Sequence, residues 1–253
     1  MTPNPPATLS ISLPPEVAEL AVRHRLGACE GAFAPKRLGI LMFICHLNAL
    51  FILSAFFLVP GVLYFLWLRR FPNFSRKQAA KRLYLFEAGM IVRPQSGAGV
   101  SAFRWDSLKL RQDITRLYVD GIPTPVKYVY SAYATGFGGT EITEFYEHPE
   151  TWGPLMQEAV LRAQGQTVLD TVRDGGTVDF GAFDVSAAGL VRAGTGRLAW
   201  SDVEEVGIGG GQVRIVRRGT PEPWAKAPAN GITNLHLFLA TAEILGRRTG
   251  DHL

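Results

Sequence analysis

The longest apolar stretch of the chain covers residues 39–68, thirty residues that contain no charge. About twenty such residues in a helix are enough to cross a bilayer core of roughly 30 Å. As one continuous helix, this stretch would reach roughly 45 Å. The pattern therefore predicts a transmembrane helix over residues 37–70, which would make the chain a membrane protein.

The charges on either side of this stretch predict its orientation. Lys36 and Arg37 precede it, and a heavier cluster of bases follows it. Because positive residues favour the cytoplasmic side, a single span would keep the large C-terminal part in the cytosol, at the inner face of the plasma membrane. The alternative is a short helical hairpin with both basic flanks inside, which would turn near residues 46–48 or near residues 60–61. Its arms would have only about fifteen residues each, fewer than a full span needs.

The bases that follow the apolar stretch are the candidate lipid-binding residues. Basic side chains next to a membrane attract anionic headgroups by about 1 kcal/mol each. The formal charge of the chain is +4, and these bases cluster beside the apolar stretch instead of covering a face that could bind nucleic acid. The candidate residues are Arg69, Arg70, Arg76, Lys77, Lys81 and Arg82.

Residues 1–36 are too few and too polar to form a domain. Residues 1–14 are rich in Pro, Ser and Thr, a composition typical of disorder. Residues 15–22 predict a short amphipathic helix, with Pro at its first position and acids in its first turn. Cys29 and Cys45 are the only cysteines, too few for a disulfide framework or a structural zinc site.

The part of the chain after the apolar stretch contains an internal repeat. Residues 83–93 read LYLFEAGMIVR and residues 183–192 read FDVSAAGLVR, and their Ala-Gly pairs lie one hundred residues apart. In both copies a Gly-rich connection follows, and then a strand pattern that ends in a tryptophan and an acid, at Trp105 and Trp200. This spacing is typical of a duplicated domain rather than a solenoid. We therefore predict two domains, over residues 80–165 and 166–248.

Each copy continues with alternating strand patterns and ends with a helical pattern. The first helix begins near Trp152 and is predicted to end at Gly165, and the second covers residues 234–245 and stops at Gly246. The predicted fold class is α+β, mainly β. In this prediction, an N-terminal transmembrane segment is followed by two small antiparallel β-barrels, each closed by a C-terminal helix.

The order of these features resembles the bacterial pleckstrin-homology-like domains, and specifically uncharacterised actinobacterial membrane proteins that carry two such domains. The resemblance covers about residues 80–248 together with the apolar segment before them. It rests on Phe86-Glu87-Ala88-Gly89, Trp105-Asp106, Phe180-Gly181-Ala182-Phe183, Gly189-Leu190, Trp200 and the helix over residues 234–245. Such domains generally bind peptides, proteins or headgroups, or serve as assembly modules. The resemblance therefore implies binding or assembly, with no established activity for the group.

The repeated tryptophans have two interpretations. At the same position in both copies, Trp105 and Trp200 could mark a binding site. Large aromatic side chains more often fill cores than ligand sites, so we expect both residues to pack beneath the closing helix of their copy.

No pattern indicates an enzyme, a metal or a cofactor. The glycines at 207–211 resemble a dinucleotide loop, but a strand pattern follows them, where phosphate binding needs the start of a helix. The histidines show no metal-ligand spacing, and neither a nucleophile elbow nor a phosphate-binding lysine loop is present. Arg214, Arg217, Arg218 and Trp224 are the one candidate for nucleic-acid binding. A solvated face or a headgroup patch explains them equally well, so we expect no nucleic-acid partner.

These observations together predict a membrane-anchored, non-enzymatic protein that binds or scaffolds at the cytoplasmic membrane face. Its predicted partners are anionic lipid headgroups and an unidentified protein. The alternative is an accessory subunit of a membrane transport or secretion complex, which would act through its intramembrane segment.

Overall fold

After residue 80, two runs of short antiparallel strands each end in a long helix, because the apolar pattern twice changes from alternation to helical spacing. The structure is a computed structural model that describes residues 12–95, 99–116, 118–119, 122–134 and 137–250. Residues 1–11, most of the stretch predicted to be disordered, lie outside the described residues.

The helices and strands have the following bounds. The helices are α1 (Pro15–Arg23), α2 (Ile40–Phe56), α3 (Leu58–Leu68), α4 (Arg76–Ala79), α5 (Pro149–Arg173) and α6 (Leu235–Gly250). The strands of the first half are β1 (Cys29–Phe33), β2 (Leu83–Phe86), β3 (Gly89–Val92), β4 (Ser101–Arg104), β5 (Lys109–Thr115), β6 (Tyr118–Val119), β7 (Ile122–Pro123), β8 (Lys127–Ala134) and β9 (Phe137–Thr143). Those of the second half are β10 (Thr177–Asp179), β11 (Asp184–Ser186), β12 (Gly189–Arg192), β13 (Gly196–Leu198), β14 (Val203–Gly209), β15 (Gln212–Arg217) and β16 (Pro223–Pro228).

The strands form the same arrangement twice. In the first half, a four-stranded sheet β1-β2-β3-β4 is followed by a three-stranded sheet β5-β8-β9, with β6-β7 as a separate pair. In the second half, a sheet β10-β11-β12-β13 is followed by β14-β15-β16. Every pairing is antiparallel. Short turns connect most of the paired strands, but the apolar stretch lies between β1 and β2, and β6-β7 lies between β5 and β8. A helix follows each set, α5 after the first and α6 after the second.

The repeated tryptophans occupy equivalent places in the two sets. The Trp105 indole donates to the Phe86 carbonyl at 2.9 Å, and the Trp200 indole donates to the Ser186 carbonyl at 2.9 Å. Phe86 and Ser186 both lie three residues before the turn glycine of their copy. Both indole rings are buried in the core. Their buried N–H groups thus fix the corner at which each four-stranded sheet ends.

One buried cluster takes residues from both sets of strands. Helix α5 continues through Gly165, the predicted end of the helix, and packs against α6. Asn234, which precedes α6 and has a φ of 52°, fastens α6 to the first set. Its Oδ1 accepts from the Leu110 amide at 2.7 Å, and its Nδ2 donates to the Leu108 carbonyl and to Gln164 Oε1, both at 3.1 Å. These hydrogen bonds join the two halves through a buried polar contact.

The predicted closed barrels are wrong. The chain turns a corner after β4, at Trp105, and again after β13, through a short 3-10 turn at Trp200–Asp202. At each corner the following strand joins a different sheet. Within the described residues, no ladder connects the four-stranded sheet of either half to its three-stranded sheet. The fold is therefore α+β with separate small sheets.

The predicted transmembrane helix is also wrong. The apolar stretch breaks at Phe57, whose backbone has φ −143° and ψ 86°, and divides into α2 with 17 residues and α3 with 11. Pro60 explains the break, because a continuous helix would set its ring against the Phe56 carbonyl, whereas Pro is tolerated in the first turn of a new helix. In the part of the chain that the structure describes, no helix is long and apolar enough to cross a membrane. The predicted plasma-membrane location, with cytoplasmic C-terminal domains, depended on that span and is corrected with it.

Candidate functional site

Helices α2 and α3 form an apolar hairpin that leaves the rest of the fold from the edge of the first sheet. Strand β1 precedes the hairpin and β2 follows it, and the two strands pair with each other, with Phe33 opposite Leu83. Both ends of the hairpin therefore start from adjacent strands. We call the helices and Phe57 between them the apolar hairpin, with its tip at Phe57 and its base at residues 36–40 and 68–77.

The two helices of the hairpin touch closely near the tip. A Cβ on Gly61 would lie 2.7 Å from both the Cα and the Oγ of Ser54, closer than a real Cβ approaches other atoms. Only glycine at this position lets the backbones come so near, as small residues do where helices pack without a hydrophobic driving force. The apolar hairpin is thus a packed pair rather than two independent helices.

Polar and aromatic side chains hold the hairpin together nearer its base. His46 Nδ1 and the Tyr64 hydroxyl lie 2.6 Å apart across the two helices, a hydrogen bond whose donor depends on the histidine tautomer. Trp67 packs against both rings, with centroids 5.8 Å from His46 and 5.6 Å from Tyr64. Asn73 then ties the two ends, since its Oδ1 accepts from the Leu38 amide at 2.8 Å. Its Nδ2 also donates to the Leu38 carbonyl at 3.3 Å.

The hairpin exposes nearly all of its apolar side chains. Of the 21 large apolar residues that are exposed in the described chain, 16 lie between Ile40 and Trp67. They face outward on both helices, and Phe56 and Phe57 at the tip are 75% and 60% exposed. Exposed apolar patches of this extent mark an interaction site on a protein surface. The sixteen side chains thus identify the hairpin as the candidate functional site.

The polar pair divides the hairpin into a base and an apolar tip. Phe57 lies eleven positions after His46, which corresponds to about 16 Å of helix. Half of a bilayer core of roughly 30 Å is about 15 Å. Tyr64 and Trp67 are of the residue types that are enriched at lipid–water interfaces. The apolar tip therefore has the length of one leaflet's hydrocarbon layer.

Four of the six candidate lipid-binding bases surround the base of the hairpin with their side chains in solvent. Arg69 and Arg70 follow α3 directly, and Arg76 and Lys77 open α4. All four are exposed, and none of them forms an ion pair with another described residue. We call these four residues the basic collar.

The other two bases are engaged inside the protein. Lys81 is 8% exposed, and its Nζ donates to the Pro94 and Gln95 carbonyls at 2.7 Å each. Burial, and then the nearby charge of Arg93, lower the pKa of the Lys81 ammonium. Arg82 is half-buried and donates to the Ala79 carbonyl at 2.6 Å and the Lys81 carbonyl at 2.7 Å. Lys81 thus joins the chain before β2 to the chain after β3, and Arg82 binds the carbonyls at the end of α4.

The remaining sequence-based candidates show no ligand geometry. Trp105 and Trp200 are core residues, as expected. Trp224 is partly buried against the main core instead of standing free as a stacking platform. Among the described residues, no group of three His, Cys, Asp or Glu side chains could hold a metal ion.

One family model matches most of the chain. The model of a family of unknown function, DUF6585, matches residues 21–246, which include the apolar hairpin and both sets of strands. No curated protein and no solved structure matches the chain.

Proposed function

The chain belongs to DUF6585, a family of unknown function, and we propose that it is a non-enzymatic protein that docks on an anionic lipid surface. In this proposal, the apolar hairpin enters one leaflet and does not cross the bilayer. The basic collar lies among the headgroups, and the two sets of strands stay outside the lipid as binding or scaffolding units.

The observation that carries the proposal is the exposure of the hairpin on all sides. A protein partner covers an apolar helix by a groove along one face and leaves the opposite face polar. Here residues 40–68 contain no charge, and the exposed side chains belong to both helices. A lipid leaflet surrounds the hairpin completely, which a flat protein surface does not. The pattern therefore favours lipid over a protein groove.

The free energies of inserting the apolar side chains and of attracting the basic collar are large enough for stable docking on lipid. Residues 47–63, the part of the hairpin beyond the His46–Tyr64 pair, include eleven Leu, Ile, Phe and Val. At about 0.3–0.6 kcal/mol per residue in a bilayer, these contribute roughly 3–7 kcal/mol. The basic collar adds about 1 kcal/mol per residue at an anionic surface. The hairpin supplies affinity for any lipid surface, and the collar supplies the preference for anionic lipid.

A quadruple variant of the basic collar tests this division. With Arg69, Arg70, Arg76 and Lys77 all changed to Gln, binding to vesicles that contain phosphatidylglycerol should weaken by up to about a thousandfold, since each base contributes about 1 kcal/mol. Binding to neutral phosphatidylcholine vesicles should stay as in the wild type. Flotation of the full-length chain with the two kinds of vesicle measures both affinities.

A matched control removes the same charge elsewhere. The variant with Arg197, Arg214, Arg217 and Arg218 changed to Gln loses four exposed bases of the second set of strands. It should bind phosphatidylglycerol vesicles almost as the wild type does. If both quadruple variants lose affinity equally, the effect comes from net charge and the collar is not a headgroup site. If the wild-type chain floats with neither vesicle, lipid docking is wrong.

A further inference from the structure

A cleft of 770 Å³ opens beside the base of the apolar hairpin and carries charges of both signs. Its volume is within the range of roughly 300–1,000 Å³ that is typical of small-ligand sites. The charged side chains that line it are Lys36, Arg37, Lys127, Glu144, Glu147 and Glu150. We call it the mixed-charge cleft.

Three segments of the chain bring these residues together. The segment before α2 pairs with the segment after β9, since the Lys36 amide donates to the Phe145 carbonyl at 2.6 Å and the Glu147 amide donates to the Ala34 carbonyl at 2.9 Å. Lys127 begins β8, which pairs with β9. The cleft is therefore a fixed feature of the first set of strands, at the foot of the hairpin.

The opposite charges in the cleft do not neutralise one another. Within the described residues, the side chains of Lys36, Arg37, Lys127 and Glu147 form no ion pair with any other residue. The other two carboxylates have contacts inside the cleft. Glu144 accepts from the Tyr128 amide at 3.1 Å, and Glu150 lies 3.3 Å from His148 Nδ1. Bases and at least one carboxylate are thus available to a ligand at the same time.

We propose that the mixed-charge cleft binds the headgroup of an aminophospholipid, a phosphate joined to a primary ammonium. The phosphate contacts Lys36, Arg37 and Lys127, and the ammonium donates hydrogen bonds to Glu147. This proposal rests on lipid docking by the hairpin, because it places the cleft at the level of the headgroups. Lys36 and Arg37 lie four and three residues before the start of α2, so a headgroup held there remains joined to acyl chains beside the hairpin.

The ammonium of the headgroup is the feature that distinguishes this ligand. A primary ammonium has three N–H donors, which match a carboxylate without another partner. The quaternary ammonium of phosphatidylcholine has the same charge but no N–H donor. Both headgroups carry the same phosphate, so the bases alone do not discriminate between them.

Two series of vesicles test the proposal with the full-length chain. Both contain the same share of phosphatidylglycerol, and the remainder is phosphatidylcholine in one series and a mixture with phosphatidylethanolamine in the other. The wild type should bind the phosphatidylethanolamine series about two- to fivefold more tightly, the size expected of one exposed charged pair. E147Q should lose this preference. K127Q should weaken binding to both series equally, because both headgroups carry a phosphate.

The controls separate recognition from general effects of lipid packing. E204Q removes an exposed carboxylate of β14 and should keep the preference. If E147Q also keeps it, or if the wild type binds both series equally, the headgroup site is wrong although lipid docking stands. If the wild type binds neither series, lipid docking fails first. Free phosphoethanolamine in excess should abolish the preference and weaken binding to the phosphatidylcholine series no more than K127Q does, because it occupies the same bases. Failure to compete would place the ammonium contact outside the cleft.

Discussion

Changing both Phe56 and Phe57 to Asp at the hairpin tip is expected to abolish binding to lipid vesicles. An Asp at the centre of a bilayer helix costs about 2.5–3.5 kcal/mol, and each lost Phe removes about 0.3 kcal/mol. The double variant should therefore lose roughly 6–8 kcal/mol, more than about ten-thousandfold in affinity. Flotation with vesicles containing phosphatidylglycerol measures the loss. The fold should be unaffected, because both side chains already face solvent.

The control places the same charge on exposed apolar residues away from the hairpin. Leu155 in α5 and Ile208 in β14 are 46% and 53% exposed. The variant with both changed to Asp should float with vesicles as the wild type does. Far-ultraviolet circular dichroism and thermal unfolding show whether either variant has lost its fold. A folded tip variant that still binds vesicles would mean that the tip lies outside the lipid, contrary to the proposed function.

The sequence located the apolar segment but not its shape. Residues 39–68 carry no charge, which is visible without a structure. Whether Pro60 kinks one helix or separates two depends on what the second half of the segment packs against. That packing rests on Gly61 against Ser54 and on the hydrogen bond between His46 and Tyr64. Such contacts between helices are not encoded in local periodicity, so the prediction favoured the simpler single span.

Strand β1, the first strand of the first sheet, could not be predicted from its local sequence either. Strand β1 reads CEGAF, which is short, contains a glycine and shows no regular alternation of apolar and polar residue types, although its residues alternate in burial. It becomes a strand because it pairs with β2, which lies far along the chain beyond the hairpin. Tertiary pairing of this kind overrides local propensity. The mixed-charge cleft was missed for the same reason, since its residues come from three segments that only the fold brings together.

The repeat was the most predictable part of the fold, because the same residues recur at equivalent positions in both copies. The shared Ala-Gly pair and the following tryptophan predicted a common corner, and the indole hydrogen bonds have the same geometry in both copies. The number of sheets was not predictable from this pattern. Alternation shows that strands exist, but it does not show which strands share a ladder, and the predicted closure into barrels depended on that.

Gly89 and Gly189 are the turn glycines that the two copies share, and substitution of Gly189 is expected to have the largest effect on stability. A Cβ on Gly189 would lie 2.0 Å from the Leu198 carbonyl oxygen, and a Cβ on Gly89 would lie 2.2 Å from the Phe103 carbonyl oxygen. Both carbonyls belong to the residue two positions before the repeated tryptophan. The backbone of Gly189 also has a φ of +143°, which L-residues rarely adopt. The glycine thus provides both a close approach and an unusual backbone conformation.

Gly189→Ala should therefore destabilise the protein by about 2–5 kcal/mol, the sum of overpacking and backbone strain. For a chain of this size, the unfolding midpoint should fall by roughly 10 °C. Gly194→Ala is the matched control, because its φ is +76° but no atom lies within 4 Å of the added Cβ. It should cost only the backbone strain, about 1–2 kcal/mol. Equal losses in thermal unfolding would mean that the carbonyl approach does not constrain the turn. A larger loss for Gly189→Ala means that the close approach of the carbonyl and the φ of +143° together make glycine more necessary here than a φ of +76° does at Gly194.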